Sequence, residues 1–490
     1  MRILAIGDIH YVSDSSYIGL PERKYELGPE FVERILRREK ENFDVIVVCG
    51  DFVDNRTLSC TENDFLEIKK IIEKEKKPFI FVRGNHDIEF SKFCKLSGNS
   101  TLPLIYGEYI FYPFCDNYLK DEKCYRKKQE IEKFKKFSQK FRDKKIITIQ
   151  HNIIYPEIEG GYPYNFENGE EILNLYKENN VLVSISGHYH KGIKEKKHKG
   201  IYFLTLPAIC ESPFSYYIIE INKGKIKFQK KSLCMEAPFP LINFHCHTEF
   251  AYCGENVESK KNIERAKIFG LDGIVLTEHS GQLYLSKDDY WGYKFLDGVD
   301  IIYQSKKEGK SRIEKFKEKI FPIKNNYVKV GMEVECDRNG KITLLPEDKK
   351  GIDYLIGAVH YLPEEYKVSY KKIKNGFLKF TEFVCRNNID ILAHPLRYFV
   401  RNNILPPKDI YSDVVKILKE YNVCAELNFH TNNPDPVFFE RCIENGIKIS
   451  LASDAHNLLE VGDFSKHIEF LKKIGVRSEE NLLTKWVKFS

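Results

Sequence analysis

Aspartate, histidine and asparagine recur in five short clusters along the first half of this chain. ILAIGDIH carries Asp8 and His10, and VIVVCGDFVD carries Asp51 and Asp54. FIFVRGNHD carries Asn85, His86 and Asp87, IITIQHN carries His151, and VLVSISGHYH carries His188 and His190. Carboxylate, imidazole and amide oxygen together are ligands for Mn, Fe or Zn rather than for a soft thiolate site. A carboxylate has two oxygens and can bridge two cations. Two cations about 3.5–4 Å apart can activate a water and hold both oxygens of an in-line displacement at phosphorus. Gly50, Gly84 and Gly187 allow the sharp turns that such a centre needs.

A second set begins at NFHCHTEF, residues 243–250, where His245 and His247 close an apolar run. From there LINFHCH, DGIVLTEH, KVGMEVE, YLIGAVH, DILAHP, VCAELNF and KISLASDAH end in His247, His279, Glu333, His360, His394, Asn428 and His456. Of the 14 histidines, 11 fall in clusters of this kind in the two halves, while His198, His430 and His467 read as incidental.

The elements that must position these residues follow from the same runs. Stretches of Val, Ile and Phe before each cluster read as buried strands, and the chain ends of parallel strands are where α/β folds build their sites. In the second half, seven strands alternate with stretches of helical character, which predicts a parallel barrel with all seven ends at one mouth. The chain is therefore expected to be α/β throughout. The polar stretch at 222–240, ending in two prolines, is the expected boundary, giving domains 1–235 and 236–490. Ile131, Phe134, Phe137 and Phe141 fall at helical spacing within 127–141 and predict an amphipathic surface helix. The basic run 194–200 reads as a solvated hairpin or loop.

The order D-x-H, G-D-x-x-D, G-N-H-D, H and G-H-x-H over residues 1–230 resembles the calcineurin-like metallophosphoesterase family. The resemblance implies an α/β sandwich with Asp8, His10, Asp51 and His190 at one metal and Asp51, Asn85, His151 and His188 at the other. Asp51 would bridge. His86 would stabilise the phosphoryl oxygens or protonate the leaving group, and Asp54 would support the turn. The H-x-H, T-E-H, G-x-E, GAVH, LAHP and S-D-A-H motifs of residues 240–490 look like the PHP (polymerase and histidinol phosphatase) family, which implies a (β/α)7 barrel. That resemblance implies His245, His247, Glu333 and Asp454 at one metal, Glu333, His360 and His394 at a second, and His279 and His456 at a third. Cys253 stands where the family often has a further His, and thiolate can bind Zn. Glu278 stands where Asp is commoner. Glu333 and Glu335 share one strand face, so one of the two reads as a salt-bridge partner. Arg397 and Arg401 follow His394, and a guanidinium there could clamp a phosphate. The insertion between His279 and Glu333, with Tyr290, Trp291 and Tyr293, reads either as a lid over substrate or as a packed excursion.

Composition narrows the function classes. Hydrophobic residues make up 42% and charged residues 30%, with a net charge of +6. The chain lacks a basic stripe interleaved with aromatics, so nucleic acid is not the favoured partner. No apolar run reaches the length of a membrane span, and the N-terminus reads as a first strand and not as a signal peptide. Thirteen cysteines without a C-x-x-C pair predict reduced thiols in a cytoplasm. The expected activity is metal-dependent phosphoester hydrolysis at two sites, on a small phosphorylated compound or nucleotide. A phosphodiester or cyclic phosphate would be cleaved in the first half and a phosphomonoester in the second. The divalent cations would be Mn, Fe or Zn, two in the first site and two or three in the second. The alternatives are a metal-dependent nuclease acting on DNA or RNA, and a histidinol-phosphatase-like enzyme with a regulatory N-terminal half.

Overall fold

Alternation of apolar residues decides how the first half packs. In the computed structural model, which describes residues 1–119, 121–484 and 486, Ile3 and Ala5, Val45 and Val47, Ile147 and Ile149, and Val183 and Ile185 point into one buried core. The period of two means that each strand offers one face to it. The core lies between two sheets. One has the order β11-β10-β1-β2-β3, made of β1 (Arg2–Ile6), β2 (Val45–Cys49), β3 (Phe79–Val82), β10 (Ser215–Asn222) and β11 (Lys225–Ser232). The other has the order β8-β9-β7-β6-β5-β4, made of β4 (Leu104–Tyr106), β5 (Tyr109–Pro113), β6 (Lys145–Ile149), β7 (Val181–Ser186), β8 (Ile193–His198) and β9 (Ile201–Thr205). β1, β2 and β3 run parallel, as do β6 and β7. The five motifs follow the C-terminal ends of these five strands, at Asp8, Asp51, Asn85, His151 and His188.

The second half is a run of seven parallel strands in chain order: β12 (Ile242–Cys246), β13 (Gly273–His279), β14 (Val328–Val334), β15 (Tyr354–Gly357), β16 (Ile391–Leu392), β17 (Cys424–Leu427) and β18 (Ile449–Leu451). The ring is drawn together between its first and last strands. Asp454 donates its backbone N–H to the His245 carbonyl at 2.8 Å, and Cys246 bridges to Ala455. This is the nearly closed (β/α)7 barrel that the seven runs predict. Each run is buried because the barrel interior and the outer helices cover both faces. Among the described residues, no helix is long and apolar enough to cross a membrane.

The chain folds as two compact units, Met1–Cys234 and Met235–Ser490. The division falls inside the expected boundary stretch 222–240, but the first part of that stretch is a strand. Lys225–Ser232 pairs along its length with Ser215–Asn222 through a turn in which Lys223 and Gly224 both take positive φ. Ile226 and Phe228 alternate with exposed lysines and pack on the inner core, a period-two signal that the high lysine content obscures. The helix expected at 127–141 runs Lys128–Lys140 with Ile131 and Phe134 buried. The basic run at 194–200 is largely the edge strand β8, paired with β9.

His467, read as incidental, is a core residue of the second unit. Its ring packs against Phe429 and Phe464, and Nε2 donates to the Ala452 carbonyl at 2.9 Å. Burial lowers its pKa from 6.5 to about 4. A depressed histidine contributes stability that is complete above the unfolded value and is lost as pH falls toward the folded one. Between pH 6.5 and 4 this loss amounts to about 3 kcal/mol. Denaturant unfolding of the full chain and of His467→Phe across that window checks it: the wild type should lose stability relative to the variant by about that amount.

Candidate metal centres

The first centre is built on strained turns. Asp8, His10, Asp51 and His188 have φ of 46°, 49°, 50° and 68°, a left-handed region that costs non-glycine residues about 1–3 kcal/mol each. The turns aim every side chain at one point. Asp51 Oδ2 lies 3.5 Å from His10 Nε2 and 3.2 Å from His151 Nε2. His10 Nε2 is 3.1 Å from His190 Nε2, and Asp8 Oδ1 is 3.8 Å from His190 Nε2 and 3.9 Å from His151 Nε2. Asn85 turns Oδ1 toward His151 Nε2 at 3.2 Å, because its Nδ2 donates to Glu122 Oε2 and Tyr162 Oη. The oxygens and Nε2 atoms of all seven expected ligands but His188 are thus tied by short distances. His188 groups with Asp51 and His151, their donor atoms within 4.8 Å of one another.

The outer nitrogens are held as well, which fixes ring orientation. His10 Nδ1 meets Asp54 Oδ1 at 2.8 Å, His151 Nδ1 meets the Cys49 carbonyl at 2.6 Å, and His190 Nδ1 meets Glu211 Oε1 at 2.5 Å. Asp54 therefore does more than support a turn: it orients His10 and accepts from Tyr17 and from Arg23, the latter at 2.8 Å. Glu211, Tyr17 and Arg23 lie outside every motif, and no local pattern in the sequence marks them. His86 donates its backbone N–H to Asp51 Oδ1 at 2.9 Å, and its Nδ1 is taken by the Asp54 carbonyl at 2.5 Å. Nε2 is left as the nitrogen that can serve a ligand in the adjoining cavity of about 340 Å³, which Tyr17, Arg56 and Tyr162 also line.

The second centre turns on Glu333, which is fully buried. Its Oε2 lies 3.4 Å from His245 Nε2, 3.7 Å from His247 Nε2 and 2.7 Å from His279 Nδ1. Its Oε1 lies 3.1 Å from His360 Nε2 and 3.0 Å from His394 Nε2. One carboxylate thus faces two sets of imidazoles with its two oxygens. Asp454 joins the first set at 2.9 Å from His247 and 3.5 Å from His245. His247, His279 and His456 bring donor atoms within 4.8 Å of one another. Cys253 Sγ is 3.5 Å from His279 Nε2 and accepts from Gln282, and burial pushes the thiol up to about 12. Outer nitrogens are again held: His245 Nδ1 by Glu426 at 2.9 Å and His360 Nδ1 by Glu335 at 3.1 Å. Glu335 is thus the partner of a histidine, while Glu333 reaches the centre. Glu278 accepts from the Thr248 backbone and hydroxyl.

Arg397 is buried among these groups. Nη1 donates to Asp454 Oδ2 and, at 3.4 Å, to the His430 carbonyl, and Nη2 lies 3.2 Å from His360 Nε2. With Arg401 it lines a cavity of about 290 Å³ at the barrel mouth. His430, read from sequence as incidental, lines the same cavity. It stacks on His456 with centroids 4.4 Å apart and pairs with Glu460 at 3.1 Å. It follows Asn428, a strand-end residue, by two positions, and that spacing was the available signal.

Both centres call for positive charge. Burial pushes Asp51 up, but His151 and His86 outweigh it and hold the carboxyl well below the usual range. Burial lowers His151, and Asp51 more than offsets this, to about 9. Glu333 is likewise raised by burial and brought well below the usual range by His279, His360 and His245. His188 Nε2 is buried without a hydrogen-bond partner among the described residues, and His279 Nδ1 and Glu333 Oε2 approach to 2.7 Å without hydrogen-bond geometry. Buried polar atoms are otherwise almost always satisfied. Converging O and N donors of this kind fit divalent cations of the Mn, Fe or Zn type.

Comparison with known proteins agrees with the geometry. Residues 1–192 match the calcineurin-like phosphoesterase family, and residues 243–430 match the PHP domain. The chain joins a calcineurin-like phosphoesterase domain to a PHP domain. Both families are divalent-metal dependent, and both domains carry candidate donor groups. A probable phosphatase of Caldanaerobacter subterraneus subsp. tengcongensis is 28% identical over 180 residues, 33% of this chain and 64% of that protein. A probable phosphatase of Clostridium novyi is 28% identical over 158 residues, 30% of this chain and 60% of that protein. The chain thus spans less than two thirds of either relative. A dimetal phosphatase from Danio rerio has a TM-score of 0.41 and 13% identity, covering 47% of this chain and 96% of that one.

Close packing in the phosphoesterase domain makes one glycine testable. A Cβ on Gly84 would lie 2.0 Å from Asp51 Oδ1 and 2.5 Å from its backbone N. Gly84→Ala must displace Asp51, and misplacement by about 1 Å is worth about 100-fold in rate. Metal-dependent phosphoester hydrolysis at this centre should fall by that factor, with the metal content of the PHP domain unchanged by elemental analysis.

Proposed function

We propose that the chain is a phosphoric ester hydrolase with two metal-dependent centres, cleaving a phosphodiester or cyclic phosphate in the phosphoesterase domain and a phosphomonoester in the PHP domain. The observation that carries this is the shared buried carboxylate in each centre. Asp51 lies between His10 and His151, and Glu333 lies between the His245–His247–His279 and His360–His394 sets.

The first pair of cations would be held by Asp8, His10, Asp51 and His190, and by Asp51, Asn85, His151 and His188. In the PHP domain His245, His247, Glu333 and Asp454 would hold one, Glu333, His360 and His394 a second, and His279 and His456, with Cys253 beside them, a third. When bound, such cations polarise the phosphoryl oxygens and make a water nucleophilic at neutral pH. The chain's own groups do the rest. His86, with Nδ1 taken by the Asp54 carbonyl, offers Nε2 to the phosphoryl oxygens or to the leaving oxygen as its bond to phosphorus breaks. Asp54 and Glu211 keep the rings of His10 and His190 in place.

Ligand charge supports the division of labour. A diester carries one negative charge, and the first cavity is lined by one arginine, Arg56. A monoester carries up to two, and the second cavity is lined by the exposed Arg401 and by Arg397, whose charge is shared with Asp454. Tethering the two would raise the local concentration of the intermediate. No disulfide joins the described cysteines, which supports a reducing compartment such as the cytoplasm.

Phosphate release from bis-p-nitrophenyl phosphate with Mn²⁺ tests the proposal. Asp51→Asn should stop nitrophenol release. Glu333→Gln should allow the first cleavage and stop the appearance of free phosphate. If Glu333→Gln leaves free phosphate unchanged, the sequential division is wrong. Elemental analysis of the dialysed wild type should find about two metals in the first domain and two or three in the second, and each variant should lose only its own domain's share.

A further inference from the structure

The insertion between His279 and Glu333 presents one side chain that the metal chemistry does not use. Trp291 ends the short helix Lys287–Trp291 and lines the cavity at the barrel mouth. Its neighbours on both sides are fixed. The Tyr290 ring is 1% exposed, and its hydroxyl donates to Glu335 Oε1 at 2.5 Å. Glu335 is the carboxylate that orients His360. Tyr293, with φ of 57°, packs its ring against Tyr361 with centroids 3.8 Å apart, and Tyr361 also lines the cavity. The half-buried Trp291 is therefore held as a wall and not carried on a free loop. Of the two expectations for the insertion, the anchoring of Tyr290 belongs to a packed excursion, yet Trp291 still reaches the ligand space.

The opposite chemistry is also in place. Arg397 and Arg401 stand four residues apart on the helix Arg397–Arg401, so both fall on one side of it. Arg397 is committed to Asp454 and His360, whereas Arg401 is exposed and makes no ion pair among the described residues. A cavity of about 290 Å³ with the metal donors at its floor, an indole and a phenol in its wall, and a guanidinium at its rim suits a phosphate joined to a flat heteroaromatic ring. An aliphatic phosphomonoester would leave the aromatic wall facing water, and stacking would be lost.

The geometry points to a nucleoside monophosphate as the ligand class of the PHP centre, with the base on Trp291 and the phosphoryl group among the donors around Glu333. This rests on the monoesterase reading above and names its substrate class. Water adds to phosphorus, the bond from phosphorus to the ribose oxygen breaks, that oxygen takes a proton, and a nucleoside and inorganic phosphate leave.

The chain has two tryptophans, Trp291 and Trp486. In a Trp486→Phe background the emission reports Trp291 alone. Titrating Zn²⁺-loaded full-length protein with a non-hydrolysable adenosine 5′-phosphonate should quench it saturably, and glycerol 2-phosphate should not. In the kinetics, Trp291→Ala should raise KM for adenosine 5′-monophosphate about 10- to 100-fold. KM for glycerol 2-phosphate should stay within about twofold, since stacking is absent there. Trp291→Phe, which keeps a ring, should recover most of the loss. Equal effects of Trp291→Ala on both substrates, or absence of quenching, would overturn the inference while leaving phosphatase activity intact. Absence of phosphate release from either monoester would instead overturn the monoesterase reading on which it rests.

Discussion

A carboxylate removed from water costs several kcal/mol unless opposite charge and hydrogen bonds replace its hydration. Asp51 and Glu333 are both essentially inaccessible, and each is ringed by imidazoles. The cost is offset only if positive charge sits at the centre of the ring. The depressed carboxyls of Asp51 and Glu333 and the elevated imidazoles of His151 and His245 express the same demand from the two sides. A single proton shared between imidazole and carboxylate meets it in part, and a divalent cation meets it better because all the inward atoms are donors. The outward nitrogens are closed off by Asp54, Cys49, Glu211, Glu426 and Glu335, which leaves the inward direction as the remaining place to satisfy.

That demand also accounts for the backbone. Asp8, His10, Asp51, His188, His394 and Asp454 all have positive φ, and none is glycine. Strain of this kind persists only where the surroundings over-determine it. Here each strained residue follows a buried strand whose position is set by core packing and ladder hydrogen bonds. Asp8 is held further by the His188 N–H at 3.0 Å, and Asp51 by the His86 N–H at 2.9 Å. The carboxylates thus organise the turns while the turns aim the carboxylates.

Much of this was legible in the sequence because the donors lie at the C-terminal ends of their strands or within five residues after them. The apolar runs announce both the strand and the place where it ends, so the seven-stranded barrel and the five motifs could be read together. What stayed hidden was whatever has no local period. Glu211 reaches His190 from a loop outside every motif, and Arg23 and Tyr17 reach Asp54 from the segment after β1. His430 looked incidental because its contacts, His456 and Glu460, lie far along the chain. The strand Lys225–Ser232 was masked by lysines on its exposed face, although Ile226 and Phe228 alternate beneath them. Long-range partners and edge strands are fixed by tertiary packing, and a single sequence carries little of that information.

The two domains solve one electrostatic problem with different scaffolds, and the difference sets what each centre is sensitive to. In the phosphoesterase domain the donors come from two sheets, with Asp8, Asp51 and Asn85 on one and His151 and His188 on the other. Their separation depends on the layer of Ile3, Val47, Ile147 and Val183 between the sheets. A change of volume there moves one half of the ligand set against the other, because interiors packed to crystal density transmit strain. In the PHP domain all donors sit on or just after one ring of strands, and Glu333 stands at the C-terminal end of β14. Its two oxygens reach histidines at the ends of β12 and β13 on one side and after β15 and β16 on the other. The geometry there depends on strand register and on the closure between His245 and Asp454, and much less on any single core layer. A core substitution in the first domain should therefore act on metal spacing, and one in the second on barrel closure.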